Sequence, residues 1–173
     1  MKGWWDIVTT ELIINKVRVV RRNFKIPPVS ALKIAEDFNV KIHYYDHPSF
    51  AEPFTVKLNN NFIIAMPMIT QDYYENYYVA KQLGHICLGH FDYPAVDTLK
   101  EDNLSDKDRK RLNSDADVFA NELLLPTEWL WKEWNLRKNT SKIAEIFHFP
   151  EDLTAKRVEC LGRPIEEQYI TIL

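Results

Sequence analysis

The run Lys81-Gln82-Leu83-Gly84-His85 sets two nitrogen-bearing side chains four residues apart, with an amide beside the first. A zinc hydrolase helix carries His-Glu-x-x-His at this spacing. Positions i and i+4 turn both imidazoles toward one metal, and the glutamate takes a proton from the metal-bound water. Here His85 stands at the second histidine position, Lys81 at the first, and Gln82 at that of the glutamate. Lysine ligates only as the free amine, and shedding its proton at pH 7 from a reference pKa near 10.4 costs roughly 4–5 kcal/mol. Gln82 has no basic site, and loss of a general base typically costs about 10²–10⁴ in rate. Two adjacent positions therefore argue against ordinary zinc hydrolysis.

The other candidate ligands read as packing residues. His90 follows His85 by five residues, roughly 140° around a helix, so the two cannot share a metal unless the helix unwinds. His90 also falls on the stripe of Val79 and Leu83 and is expected to be a satisfied, partly buried histidine. His43, His47 and His148 carry no ligand spacing. Tyr73, Tyr74, Tyr77, Tyr78 and Tyr93 could stack on bases, but packing around a central helix is the plainer use. Cys87 and Cys160 make neither a disulfide framework nor a paired metal motif and read as reduced thiols.

The elements that must position these residues follow from periodicity. Asp6 to Lys25 lacks Gly and Pro, carries helical spacing and stops at Pro27-Pro28. Ser30 starts a second helix, Ala31 to Phe38, which runs into an alternating strand at Val40 to Tyr45. Phe54 to Leu58 and Phe62 to Met66 are two more strands, joined by Asn59-Asn60-Asn61, where Asn tolerates the positive φ of a tight hairpin. Tyr73 to His90 reads as one long central helix with two packed sides. Ten of the fifteen residues from Asp97 to Arg111 are charged, marking a solvated connection or an exposed helix start. Ala116, Phe119, Ala120, Leu123 and Leu124 then repeat at i, i+3, i+4, i+7 and i+8 up to Leu125-Pro126. Thr127 is expected to cap a short helix bearing Trp129, Trp131 and Trp134. Ser141 to Gly162 reads as two short helices broken near Phe149-Pro150, with Gly162 as C-terminal cap and an added strand at Tyr169 to Leu173.

At this point the chain resembles the ImmA/IrrE family of zinc metallopeptidases. Leu83-Gly84-His85 and Leu88-Gly89-His90 match the family's motif helix as they stand. Asp115 to Pro126 is similar to its Glu-Ala-Asx-x-Phe-Ala…Leu-Leu-Met-Pro signature. Ala31 to Val40 looks like its leading helix and strand, and Ile143 to Phe147 with Arg157 to Gly162 like its closing helices. The resemblance covers about residues 31 to 162. It implies an α+β, gluzincin-like fold, with the motif helix packed on a small, mostly antiparallel sheet and further helices closing the back. Carried over by position, the metal ligands fall on Lys81, His85 and Asp115 and the general base on Gln82. His85 and Asp115 keep ligating residue types, and the pseudo-active site is Lys81, His85 and Asp115 with Gln82 at the degenerate base position. An ammonium at residue 81 would then stand where zinc lies, paired with Asp115, and no cofactor is needed.

The domain division expected is an N-terminal helical extension at 1–28, a metallopeptidase-type domain at 29–163 and a tail at 164–173. The function expected is a catalytically degenerate member acting by binding, and the resemblance implies a helix-turn-helix repressor of a phage or mobile element as its protein partner. Two alternatives stay open. One is an active zinc-dependent metallopeptidase with unorthodox ligands. The other is a DNA-binding regulator that uses the acid-free strip Lys16, Arg18, Arg21, Arg22, Lys25 and Lys33, or a helix-turn-helix at 141–161 with Lys156 and Arg157 toward phosphates. The net charge of −3 over 173 residues favours a solvated helix face over a DNA surface. With 46% hydrophobic and 27% charged residues, the chain excludes global disorder. The longest apolar stretch, Phe62 to Ile69, is broken by Pro67 and far short of a membrane span, and the N-terminus has no apolar h-region, so a cytoplasmic protein is expected.

Overall fold

Two small residues, Gly84 and Ala116, let the helices that carry them come into contact. A β-carbon on Gly84 would lie 3.1 Å from Phe119 Cβ and 3.2 Å from the Ala116 Cα and carbonyl oxygen. The computed structural model describes residues 9–46, 52–68, 72–92 and 105–163. Within them, in chain order, are α1 (Thr10–Val20), α2 (Ala31–Asp37), β1 (Lys41–Tyr45), β2 (Phe54–Leu58), β3 (Asn61–Pro67), α3 (Asp72–Cys87), α4 (Asp106–Leu124), α5 (Thr127–Arg137), α6 (Thr140–Phe147) and α7 (Glu151–Glu159). The architecture is α+β. The calls on residues 1–8, His47, Tyr93, the acidic start of the charged run and the Tyr169–Leu173 strand lie outside the described residues.

Helix α4 carries the core. Its Ala116, Phe119, Ala120, Leu123 and Leu124 are fully buried, and α3 answers with Val79, Ala80 and Leu83. On its other flanks α4 meets α1, whose Ile13 and Val17 join the same core. Helix α1 is shorter than its period suggested because the Thr9 hydroxyl accepts the Leu12 N–H and starts the helix there. At its end Arg21 turns inward: its side chain pairs with Glu128 at 3.1 Å and stacks on Trp129, 4.1 Å from the ring centre.

The sheet is mixed, not mostly antiparallel. β2 and β3 form the expected hairpin, with Asn59 at φ +55° in the turn and Leu58 opposite Asn61. β1, however, lies on the far side of β3 and runs parallel to it, Lys41 beside Ile63 and Tyr45 beside Pro67. β3 takes the centre because it is the most apolar strand, burying Ile64, Ala65 and Met66 in succession.

Two expectations at helix ends are corrected. Thr127 does not cap α5: Pro126 holds that position, and the Thr127 hydroxyl turns to the Glu122 carboxylate. The motif helix stops at Cys87 instead of running to His90. Gly89 adopts φ +74°, a conformation a side chain would strain, and a 3₁₀ turn follows at His90–Asp92. Helices α6 and α7 break as expected, with His148 left-handed before Pro150 and Gly162 at φ +88° past the end.

Candidate functional site

Helices α3 and α4 run antiparallel, and polar side chains meet across them at steps of four residues. The Tyr77 hydroxyl donates to Asp117 Oδ1 at 2.9 Å and also meets Asn121. Lys81 Nζ sits 2.8 Å from Asp117 Oδ1 and 3.0 Å from Oδ2. The His85 ring hydrogen-bonds Asn113. Residues 77, 81 and 85 thus face 121, 117 and 113, because four-residue steps keep one side of each helix together.

This ladder relocates the acid expected opposite Lys81. The ammonium is held by Asp117, and Lys81 makes no ion pair with Asp115 among the described residues. Positions 115 and 117 flank Ala116, the residue against Gly84, and lie about 200° apart around the helix. Only the Asp117 flank faces α3. The Asp115 carboxyl has no hydrogen bond among the described residues, and burial pushes its pKa up to about 6, with Arg111 pulling weakly the other way.

Gln82 points to the sheet. Its Oε1 accepts from the Thr55 hydroxyl at 2.8 Å and its Nε2 donates to the Pro53 carbonyl at 3.0 Å, so the amide binds α3 to strand β2. Gln82 is buried with its oxygen and nitrogen both engaged. An amide suits this place because it is donor and acceptor at once, which a carboxylate is not.

His90 and His85 come together, contrary to the expectation from helical spacing. The turn at Gly89 brings the rings to 4.9 Å between centres at 75°, with Nδ1 2.9 Å from Nδ1. One ring donates and the other accepts, so the pair is held neutral. Burial, His90 and Lys81 press His85 well below the usual histidine value, against the Asn113 bond. Burial, Arg111 and Lys16 lower His90 to about 4. His90 Nε2 is buried without a hydrogen-bond partner among the described residues.

The donor set does not fit a resident zinc ion. Three protein ligands are the minimum for a catalytic zinc. Of the groups facing one another here, Lys81 and Asp117 neutralise each other, Asn113 offers a neutral amide, and His85 Nδ1 is taken by His90. No group of three or more His, Cys, Asp or Glu side chains gathers among the described residues.

A family model, the Peptidase_M78 IrrE N-terminal-like domain, matches residues 35–159. The chain belongs to this family. A search of curated proteins gave no match. Within the Peptidase_M78 frame, the structure keeps Lys81, His85 and Gln82 on α3 as the sequence placed them. It adds Asn113 and Asp117, which sequence reasoning did not place at the site, and Tyr77 and His90, which it read as packing residues. The signal for Asn113 and Asp117 was available: 113, 117 and 121 repeat the four-residue spacing of 77, 81 and 85.

The basic features fare differently. Arg157, which the helix-turn-helix alternative would turn toward phosphates, is fully buried, with Nη2 3.1 Å from Glu122 Oε1 and 2.7 Å from the Thr127 hydroxyl. The N-terminal strip is divided: Arg21 is buried, Lys16 donates to the Cys87 carbonyl at 3.1 Å, and Arg18, Arg22, Lys25 and Lys33 face solvent. No helix among the described residues is long and apolar enough to cross a membrane.

Proposed function

We propose that this Peptidase_M78 member is catalytically degenerate and acts in the cytoplasm by binding a regulatory protein, with a helix-turn-helix repressor of a phage or mobile element as the partner. The observation that carries the reading is the Lys81 ammonium on Asp117 at 2.8 Å. A lysine ammonium in an ion pair has no lone pair with which to ligate, and the same bond removes that carboxylate from service as a ligand. Gln82 supports the reading because its amide is spent on β2, leaving no carboxylate at the general-base position. The helix pair is thereby clamped by charge where a peptidase would be clamped by metal, and the surface stays available for recognition. DNA binding is less supported, because Arg157, Arg21 and Lys16 serve internal contacts.

The test is metal analysis and cleavage on one preparation. Protein expressed with added zinc should hold well under one zinc per chain, form a complex with a co-expressed repressor from a neighbouring gene, and leave it intact. One zinc per chain together with chelator-sensitive cleavage of that repressor would overturn the proposal.

A further inference from the structure

A cleft of about 580 Å³ opens away from the α3–α4 ladder, between α1, the start of α5 and the residues after α7. Ile14, Val17, Trp131 and Leu161 give it an apolar wall, of which Trp131 is 47% exposed. Three arginines, Arg18, Arg21 and Arg163, share the lining with two glutamates, Glu122 and Glu128. Both glutamates are already engaged, Glu122 by Arg157 and Glu128 by Arg21, each at 3.1 Å. Arg18 faces solvent and donates to the neutral amide of Asn15 at 3.4 Å. The cleft thus joins an uncovered apolar wall to a surplus of positive charge.

The chain itself carries the complement. Past α7 the backbone turns at Gly162, φ +88°, where a β-carbon would meet nothing within 4 Å, and the Arg163 N–H donates back to the Cys160 carbonyl at 3.2 Å. Leu161, Gly162 and Arg163 are themselves part of the lining, so this turn delivers the chain to the cleft. Residues 164–173 follow, outside the described residues. They carry Glu166 and Glu167, no lysine or arginine, and then Tyr169, Ile170, Ile172 and Leu173.

We infer that residues 164–173 of this same chain fill the cleft, with Glu166 and Glu167 toward Arg18 and the apolar residues along Ile14, Trp131 and Leu161. Charge selects an acidic segment, because the surplus arginine attracts carboxylates and repels a basic one. Apolar residues beyond the acids then cover the wall that water otherwise meets. Tethering selects the chain's own segment. A residue spans up to about 3.5 Å, so the six from 164 to 169 reach well across the cleft from Arg163. A segment joined so closely to its site acts at an effective concentration of roughly millimolar, which a free peptide or a second copy must match. The cleft shares no residue with the α3–α4 ladder, so the inference stands whether or not the ladder is catalytic.

The test uses the full chain with the photoreactive p-benzoylphenylalanine in place of Tyr169. Irradiation of dilute protein, then proteolysis and mass spectrometry, should give cross-links within one chain that fall on α1 around Ile14 and Arg18 or on Trp131. Arg18→Glu, at an exposed position where the fold is not at stake, should lower their yield about threefold or more, the effect of reversing one partly exposed charge. Glu166→Lys should lower it as well, and the two substitutions together should restore part of the loss. Cross-links between chains that grow with protein concentration, cross-links scattered away from the cleft, a yield indifferent to Arg18→Glu, or losses that simply add in the double variant would each overturn the inference.

Discussion

Two ion pairs tie α4 to its neighbours, and they lie at different depths. Arg157 and Glu122 are sealed, with 0% and 7% of their side chains exposed, and Thr127 completes the set. Lys81 and Asp117 sit nearer the surface, at 23% and 14%. The deeper pair follows the ordinary logic of a buried charge, held by several hydrogen bonds because an unpaired one is ruinous. The shallower pair spans only α3 and α4 and keeps contact with water. A change of residue type can therefore be accommodated where solvent still screens the charge, while the sealed pair allows no such exchange.

The sharpest way to break this comparison is to convert the shallow pair back into a metal site. Lys81→His with Gln82→Glu restores the motif on α3, but the ladder presents Asn113 to His85. The triple variant with Asn113→Glu should bind zinc on the order of a hundredfold or more tighter than the double variant, read by competition with a chromophoric chelator. Adding Asp115→Asn to the triple variant should change nothing. Loss of zinc on that fourth substitution would return Asp115 to the site and remove the ladder from the argument.

The sealed pair gives the largest stability effect. Arg157→Met strands Glu122 and should cost about 3–5 kcal/mol in urea unfolding. Acid comes next. His90 has a folded pKa near 4 and an unfolded one near 6.5. Its stabilising effect is complete above 6.5 and is lost as the pH falls through the folded value, roughly 3 kcal/mol by linkage. His85 acts in the same direction. Asp115, raised to about 6, has the opposite sign: its contribution is present below 3.8 and lost as the pH rises through 6. In Asp115→Asn the acid loss should therefore steepen, while stability at pH 7.5 rises by about 1–2 kcal/mol after discounting for partial exposure. An acid profile unchanged by Asp115→Asn would contradict this account.

Of the two ion pairs, the shallow one has the smaller effect. Lys81→Met leaves Asp117 with the Tyr77 hydroxyl and some solvent, so about 2 kcal/mol should be lost, roughly half the Arg157→Met cost. Equal costs for the two variants would mean that depth does not distinguish the pairs.

What the sequence disclosed follows from local rules. The small-residue period of α4, the Asn turn between β2 and β3, and the Gly and Pro breaks around α6 and α7 each depend on neighbours within a few positions. The family signature rests on the same short runs. The remainder depended on distant partners. Ala116 announces that it will face something small, but nothing nearby tells which of its flanking aspartates turns with it. Arg157 lies on a short helix with charged neighbours and reads as exposed, because the acid that buries it is Glu122, 35 positions earlier. His90 was placed by extrapolating a helix past Leu88-Gly89, where one glycine undoes the geometry. The order β1-β3-β2 likewise depends on which strand is most apolar, not on which comes next.

The notch at Gly84 has a consequence for how the two helices can slip. Along α4 the rungs Asn113, Asp117 and Asn121 are all hydrogen-bonding residues, so a slide of one turn, about 5.4 Å, would still give Lys81 and His85 polar company. The ladder alone is thus degenerate in register. What is not degenerate is the fit of Gly84 against Ala116 and Phe119, where a single β-carbon would leave only 3.1 Å of clearance. The glycine acts as the key that selects one alignment among several the polar groups would accept, and it fixes which acid meets the lysine.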